Sequence, residues 1–176
     1  HTVRLHCTCG KVQIEIDGPP ILSAECHCTS CRAGSMHFEA LPGAPKVRAA
    51  NGGTPYALYR KDRVKVTEGR EEMREHRLDP KSPTRRIIAG CCNTPLFVDF
   101  QPGHWLSVYS ALWPEASMPP PDLRTMTGDA PEGTILDDTL PNVRTQNFAF
   151  MRKLLVAWVA MGFRRPKIDV AGKLGP

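Results

Sequence analysis

Residues 26–32 read Cys26-His27-Cys28-Thr29-Ser30-Cys31-Arg32. Three thiols within six residues favour a metal site, because thiolates are zinc ligands and free thiols at this density are prone to oxidation. The alternative is a redox-active Cys28-x-x-Cys31 motif, but the sequence around it lacks the strand–helix–strand pattern that such a motif needs. The stretch therefore predicts a bound metal ion, with zinc as the expected element.

A second thiol pair lies near the start of the chain, in Cys7-Thr8-Cys9-Gly10. Residues two apart on a strand share a face, so both thiols can approach one ion. Gly10 allows the backbone to turn sharply around that ion. We expect Cys7 and Cys9 to be metal ligands.

A third pair, Cys91-Cys92, precedes Asn93-Thr94-Pro95. Adjacent residues of a regular strand point to opposite faces, so both thiols reach one ion only if the backbone turns there. Asn and Pro favour such a turn. The alternative is that one thiol is a ligand and the other a small buried apolar group.

The seven cysteines thus divide into groups of two, three and two. An odd number at such short spacing is a poor disulfide framework and is more typical of metal binding. Cys7, Cys9, Cys91 and Cys92 together would complete a tetrahedral structural zinc site. Cys26, Cys28 and Cys31 would leave one coordination position open, as catalytic zinc sites do, so two zinc ions are expected.

The fold class predicted from the sequence is mainly β. Apolar residues alternate over residues 2–17, on either side of the Cys9-Gly10 turn, and predict a β-hairpin. Further strands are predicted at 21–26, 73–78, 86–89, 96–100 and 105–112, and the alternation over Tyr56–Thr67 predicts a second hairpin. These elements predict an antiparallel zinc-binding β domain over residues 1–113.

Residues 114–176 are predicted to form a Pro-rich loop and a C-terminal helix that packs on this domain. The helical period over 142–162 places one set of residues on a single face: Phe148, Met151, Leu154, Leu155, Trp158 and Val159. Thr145 or Asn147 could cap the start of the helix, and Gly162 ends it. The alternative is a helix that binds a partner.

Composition excludes several classes of protein. The chain has 176 residues, with 23 Lys plus Arg against 18 Asp plus Glu, so its formal charge is +5. A hydrophobic fraction of 41% is typical of a globular domain and argues against disorder. No apolar run reaches the roughly 20 residues of a membrane-spanning helix, and no signal peptide precedes the first strand. We expect a soluble cytoplasmic protein with no membrane partner.

The cysteine pattern resembles that of the glutathione-dependent formaldehyde-activating enzyme family, whose fold is shared by centromere protein V. The resemblance covers about residues 3–112, and the matching residues are Cys7, Cys9, Cys26, Cys28, Cys31, Arg32 and Cys92. The family usually has C-x-x-C-G-T as its last motif, whereas Ala89 occupies the first cysteine position here and Cys91 is the candidate replacement. The resemblance implies a β-tent fold, a structural zinc and a catalytic zinc with three cysteine ligands.

The function expected from these features is a carbon–sulfur lyase-type enzyme that adds a small thiol, such as glutathione, to an aldehyde such as formaldehyde. A three-thiolate zinc is suited to a soft fourth ligand, which a substrate thiol provides. Arg32 is a candidate contact for an anionic substrate. His27 is expected to point away from the metal, and His37, His76 and His104 receive no role.

Two other classes of function remain as alternatives. A structural zinc module for protein interaction would have no open coordination position. A nucleic-acid binder would use the basic stretches Arg60–Lys65, Arg85-Arg86 and Arg164–Lys167, but these are short and lack interleaved aromatic residues for base stacking. We therefore expect no nucleic-acid partner.

Overall fold

The computed structural model describes residues 1–175, which form two β-sheets and two α-helices. The strands and helices, in chain order, are β1 (Thr2–His6), β2 (Gln13–Asp17), β3 (Leu22–Cys26), α1 (Thr29–Glu39), β4 (Thr54–Arg60), β5 (Val64–Glu68), β6 (Met73–His76), β7 (Thr84–Ala89), β8 (Thr94–Phe100), β9 (Trp105–Tyr109), β10 (Leu123–Thr125), α2 (Phe148–Ala160) and β11 (Gly172–Lys173). The prediction of a mainly β fold with a C-terminal helix is confirmed. No helix among these residues is long and apolar enough to cross a membrane.

The two sheets differ in size. The smaller has three antiparallel strands in the order β1-β2-β5, and the larger has eight in the order β10-β3-β4-β9-β8-β7-β6-β11. The larger sheet is antiparallel except at its two edges, where β10 pairs with β3 and β11 with β6 in parallel. Both edge strands therefore come from the chain after residue 113.

The hairpin predicted over Tyr56–Thr67 is wrong. β4 pairs with β3 and β9 in the large sheet, whereas β5 pairs with β2 in the small one. A single 3-10 turn at Lys61–Arg63 separates the two strands. The Lys61 ammonium lies 2.9 Å from a carboxylate oxygen of Asp99, and this buried ion pair fixes the point where the chain changes sheet. Alternation predicts strands but does not identify their partners.

The large sheet is buried on both faces. On β4, Ala57 and Tyr59 face the small sheet, and Tyr56 and Leu58 face the side covered by α1 and α2. Successive residues of a strand point to opposite sides, so β4 contributes to both cores. The sheet-facing core is the larger of the two, and the helix-facing core is where the pocket described below lies.

Helix α1 was not predicted from the sequence. The helix begins directly after Cys28, whose sulfur accepts a hydrogen bond from the backbone N–H of Cys31 at 3.2 Å. A side-chain acceptor at this position satisfies an unpaired donor of the first turn. Cysteine is outside the usual capping residues, so the sequence carried no recognisable start signal.

Helix α2 has the predicted ends but a different buried face. Asn147 accepts a hydrogen bond from the backbone N–H of Phe150 at 2.7 Å, and Gly162 follows the helix with a φ of +66°. The buried residues of the helix are Phe150 and Leu154, whereas Phe148 is 81% exposed. The predicted packed face is therefore wrong for four of its six residues, which are exposed: Phe148, Met151, Leu155 and Val159. This helix is apolar around most of its circumference, so periodicity does not identify the side that meets the sheet.

Candidate metal centres and the adjoining pocket

Four thiols meet where the turn between β1 and β2 approaches the turn between β7 and β8. The Cys7 sulfur lies 3.6 Å from that of Cys9 and 3.9 Å from that of Cys91. The Cys91 sulfur lies 3.4 Å from that of Cys9 and 3.9 Å from that of Cys92. All four sulfur atoms lie within 4.8 Å of one another. The structure thus brings together the four residues that the sequence predicts as structural ligands.

This spacing fits tetrahedral coordination. Zinc–sulfur bonds of about 2.3 Å place the sulfur atoms of a tetrahedral site about 3.8 Å apart. The four measured distances, 3.4 to 3.9 Å, lie close to that value. A four-thiolate site here would join the small sheet to the large one.

Both Cys91 and Cys92 join this cluster because the backbone turns between the strands. The N–H groups of Cys92 and Asn93 both donate to the carbonyl oxygen of Ala89, and Asn93 has a φ of +59°. Asn is among the residues that tolerate this left-handed conformation. The alternative in which one thiol of the pair is buried away from the ion does not match this geometry.

The neighbours of Cys92 favour its thiolate. Burial raises the pKa of Cys92, but hydrogen bonds from Thr8 and Thr94 outweigh it and bring the pKa to about 6. The sulfur of Cys92 lies 3.0 Å from the hydroxyl oxygen of Thr94, which also accepts from the backbone N–H of Thr8 at 3.1 Å. A lowered thiol pKa suits a metal ligand, since the thiolate is the coordinating form.

The second cluster contains Cys26, Cys28 and Cys31, whose sulfur atoms also lie within 4.8 Å of one another. Cys26 ends β3, Cys28 caps α1 and Cys31 lies in the first turn of α1. The start of a helix carries a partial positive charge, which stabilises nearby thiolates. The donor set is three soft sulfur ligands, which fits zinc with one position left for another ligand.

Arg86 places a positive charge beside this cluster. Its side chain is 3% exposed, and its Nε has no hydrogen-bond partner within the described residues. The groups that raise the pKa of Arg86 against the effect of burial are Tyr109, Tyr56 and Cys31, with no carboxylate among them. The pKa of Cys28 lies below its usual value because Cys26 and Cys31 hydrogen-bond to its sulfur, and the charge of Arg86 acts in the same direction. The buried guanidinium of Arg86 therefore has thiols and phenols as its acidic neighbours, where a buried arginine ordinarily has a carboxylate.

A buried polar network centred on Glu25 supports the Cys26–Cys28 segment. One carboxylate oxygen of Glu25 lies 3.1 Å from Nε2 of His27 and accepts from Nε of Arg124 at 2.7 Å and from Nδ2 of Asn51 at 3.1 Å. Burial raises the pKa of Glu25, but these three partners outweigh it and keep the pKa below its usual value. The expectation that His27 points away from the metal site agrees with this contact. Arg124 belongs to β10, so the chain beyond residue 113 supports the site.

The three-thiol cluster opens into a pocket of about 420 Å³ between the large sheet and α2. The sheet contributes Tyr56, Leu58, Val98, Phe100 and Trp105, and α2 contributes Phe150, Met151 and Leu154. Pockets for small ligands have volumes of roughly 300 to 1,000 Å³ and mostly apolar walls. This is therefore a ligand-sized cavity with the three thiols in its wall.

Arg32 does not line this pocket. Its Nη1 donates to the backbone carbonyl oxygen of Asp129 at 3.1 Å, so the guanidinium is occupied by the loop after β10. The basic pair Arg85-Arg86 is buried, and Arg60 pairs with Asp62 at 2.7 Å. The three basic stretches considered for nucleic acids therefore do not form one continuous exposed surface.

The sequence profile of the glutathione-dependent formaldehyde-activating enzyme family matches residues 2–112, nearly two thirds of the chain. The chain belongs to the formaldehyde-activating family. Membership agrees with the resemblance seen in the cysteine motifs. Ala89 occupies the usual cysteine position of the family motif, but its carbonyl organises the turn that brings Cys91 to the cluster.

Comparisons beyond the family profile add little. No curated protein matches the chain. A crystal structure of a Rhodobacter sphaeroides protein is similar to it, with a TM-score of 0.45 and 17% sequence identity, covering 64% of this chain and 89% of that one. The formaldehyde-activating family is thus the relationship that the matches show.

Two residues of the site were missed by sequence reasoning. Tyr56 lines the pocket, and its phenol oxygen is buried with no hydrogen-bond partner among residues 1–175. Arg86 lies beside the thiols, but in the sequence it looks like one member of a basic pair. Alternation along β7 was the available signal, since it places Arg85 and Arg86 on opposite faces of the sheet.

Proposed function

We propose that this protein is a zinc-dependent enzyme of the carbon–sulfur lyase type that adds a small thiol to an aldehyde such as formaldehyde, and that catalyses the reverse cleavage. The observation that supports the proposal is the three-thiol cluster in the wall of a ligand-sized pocket. The four-thiol cluster would hold a second, structural zinc. The seven free cysteines favour a reducing compartment, and we propose the cytoplasm.

The reaction is an addition. The thiol gives up its proton, and its sulfur forms a bond to the carbonyl carbon of the aldehyde. The electron pair of the carbon–oxygen double bond moves to the oxygen, which takes up a proton. The product is a hemithioacetal, and the reverse reaction breaks the same carbon–sulfur bond.

Cys26, Cys28 and Cys31 are the residues that would hold the catalytic metal. Zinc bound there would supply an open coordination position that favours a thiol sulfur and keeps it ionised near neutral pH. Three thiolates exceed the charge of one Zn²⁺ by a single negative charge. The guanidinium of Arg86 lies beside the cluster and balances that charge in a buried setting.

Tyr56 is the residue best placed to assist the aldehyde oxygen. Burial raises the pKa of Tyr56 well above its usual value, so the phenol stays protonated and can donate a hydrogen bond. Its oxygen has no hydrogen-bond partner of good geometry within the part of the chain that the structure describes. The ring of Tyr109 lies 4.9 Å from that of Tyr56 between centroids, and the Tyr56 side chain lines the pocket. A hydrogen-bond donor at a developing alkoxide contributes typically about a hundred- to a thousandfold to rate.

The test combines metal content with turnover. Protein purified under reducing conditions without added metal should contain about two zinc ions per chain. It should accelerate hemithioacetal formation, measured by NMR exchange between thiol and formaldehyde. Tyr56→Phe should lower kcat at least tenfold with unchanged zinc content. Tyr59→Phe is the matched control, because Tyr59 is buried on the opposite face of the same strand and should retain activity. Equal rates with and without protein would refute the proposal.

A structural zinc module for protein interaction is the second candidate function. It is favoured by the outer side of α2, where Phe148 is 81%, Val156 62% and Leu155 54% exposed. If the three-thiol site proved to be closed by a fourth protein ligand in solution, with zinc inaccessible to added thiol, this candidate would replace the enzyme.

A further inference from the structure

We propose that the thiol accepted by this pocket carries an uncharged, mainly apolar group, and that glutathione is a poor ligand for this chain. This inference rests on the proposed function in one respect, since it takes the pocket beside the three-thiol cluster as the thiol-binding site. It departs from the substrate for which the family is named. The chemistry of the pocket lining carries it.

Charged side chains are absent from the lining of the pocket within residues 1–175. Apart from the three cysteines and Tyr56, its polar residues are neutral: Thr84, Ser107, Thr125 and Gln146. The remaining lining residues are aliphatic or aromatic, or Met. Burial of an apolar group against such a surface lowers the free energy, whereas a charged ligand finds no partner there for an ion pair.

Glutathione carries two carboxylates and one ammonium group. Burying these groups without partners is costly, because each loses its hydration. Arg32 is held by the backbone of Asp129, and Arg86 is buried beside the thiols. The exposed cations Arg152 and Lys153 line a different depression on α2, together with Arg60. No cation is therefore in place to receive the carboxylates of glutathione in the pocket, as far as residues 1–175 show.

One side of the apolar wall comes from outside the part of the chain that matches the family. Phe150, Met151 and Leu154 belong to α2, whereas the family match ends at residue 112. Leu154 and Phe150 are buried in the helix-facing core, which fixes α2 over the thiol cluster. The substrate preference of the family therefore does not transfer to a pocket that this additional segment encloses.

Binding to the zinc-loaded protein tests the inference. The probes are 1-pentanethiol, 5-mercaptopentanoate and glutathione, compared by isothermal titration calorimetry under reducing conditions. The first two have the same carbon chain and differ by a terminal carboxylate. We expect 1-pentanethiol to bind at least tenfold more tightly than either charged thiol. Equal or tighter binding of glutathione would overturn the inference.

A variant at the rim of the pocket provides an independent measurement. Met151 lines the pocket and is 49% exposed, so Met151→Arg adds a cation there with little effect on packing. This variant should reduce the preference for 1-pentanethiol over 5-mercaptopentanoate at least threefold. Leu155→Arg is the matched control, since Leu155 lies on the same helix, is 54% exposed and does not line the pocket. An equal change in both variants would refute the assignment of the thiol to this pocket.

The two proposals fail in different ways. If 1-pentanethiol binds preferentially but the protein does not accelerate hemithioacetal formation, the proposed reaction is wrong and the pocket preference stands. If the protein accelerates hemithioacetal formation equally for glutathione and 1-pentanethiol, the reaction stands and the pocket preference is wrong.

Discussion

Gly34 and Arg86 are packed so closely that a Cβ atom added to Gly34 would overlap the Nε atom of Arg86. Gly34 lies in the interior of α1, where Gly→Ala ordinarily stabilises a helix by about 1 kcal/mol. Here we expect Gly34→Ala to destabilise the protein. Gly34→Ala should displace the guanidinium from the three-thiol cluster, lower the melting temperature and reduce zinc content below that of the parent protein.

Its control is Ala33→Gly, at the adjacent exposed position of the same helix. That change should cost about 1 kcal/mol through helix propensity alone and leave zinc content unchanged. Thermal unfolding and elemental analysis measure both effects. A Gly34→Ala protein that is more stable than the parent, with full zinc content, would show that Arg86 has room to move without consequence.

Arg86→Met removes the charge but keeps a side chain of similar length. Without the guanidinium, the negative charge of a three-thiolate zinc site is buried uncompensated, which disfavours the deprotonated thiols. We expect zinc content to fall from about two ions per chain to about one, because the four-thiol site is a separate cluster that does not include Arg86 among its neighbouring charges.

Arg85→Met is the matched control for this charge. Arg85 is the preceding residue but faces the other way, where its Nε lies 2.9 Å from a carboxylate oxygen of Asp99. Asp99 keeps its ion pair with Lys61, so the loss of Arg85 should destabilise the protein by about 1–3 kcal/mol. Zinc content should stay at the parent value, so the two variants separate loss of stability from loss of metal. Identical zinc content in both would contradict the role given to Arg86.

The two thiol clusters should respond differently to the same substitution. Cys7→Ser breaks the cluster that joins the sheets, and binding of a structural zinc contributes about 10–16 kcal/mol, as much as the whole stability of a domain. We expect a protein that is largely unfolded by circular dichroism. Cys28→Ser should remain folded, with less zinc and no thiol–aldehyde activity. A Cys7→Ser variant that melts like the parent would exclude the structural role.

Glu39 makes stability dependent on pH. Burial raises the pKa of Glu39, but hydrogen bonds from the backbone N–H groups of Val47 and Arg48, and the Arg48 guanidinium, lower it below its unfolded value. As the pH falls, Glu39 therefore takes up a proton in the unfolded chain before it does so in the folded one. The contribution of Glu39 to the free energy of unfolding is complete above about pH 4.5 and is lost as the pH falls through the folded pKa.

Glu39→Gln should accordingly be less stable than the parent at pH 7, by about 1–2 kcal/mol. The difference should shrink as the pH falls below 4.5 in urea-unfolding measurements. A difference that is constant from pH 7 to pH 3 would mean that the carboxylate charge of Glu39 is not what anchors the loop after α1.

The candidate metal ligands are predictable from the sequence because the cysteines within each pair or triplet are close together along the chain. The chemistry of Cys26, Cys28 and Cys31 depends on their spacing, and most strands show the expected alternation. The partners of β4 and β5 depend instead on a distant ion pair between Lys61 and Asp99, which no local pattern reveals.

The pocket was not predictable for a related reason. Its walls combine residues from β4, β8, β9 and α2, which are far apart in the chain. Tyr56 is one of many apolar strand residues in sequence, and its role follows only from an unpaired phenol oxygen beside the thiols. The buried side of α2 was likewise decided by the sheet beneath it and not by helical periodicity.

The four-thiol cluster lies between a sheet of only three strands and one of eight, and a zinc ion bound there would hold the two together. The small sheet has β1 and β5 as its edges. Detached from its partner, such a sheet would expose both its apolar face and the unpaired backbone groups of those edges. Exposed edges of this kind pair readily with other chains and start aggregation. Zinc supply during synthesis should therefore determine what fraction of this protein aggregates in inclusion bodies, in addition to any effect on the catalytic rate.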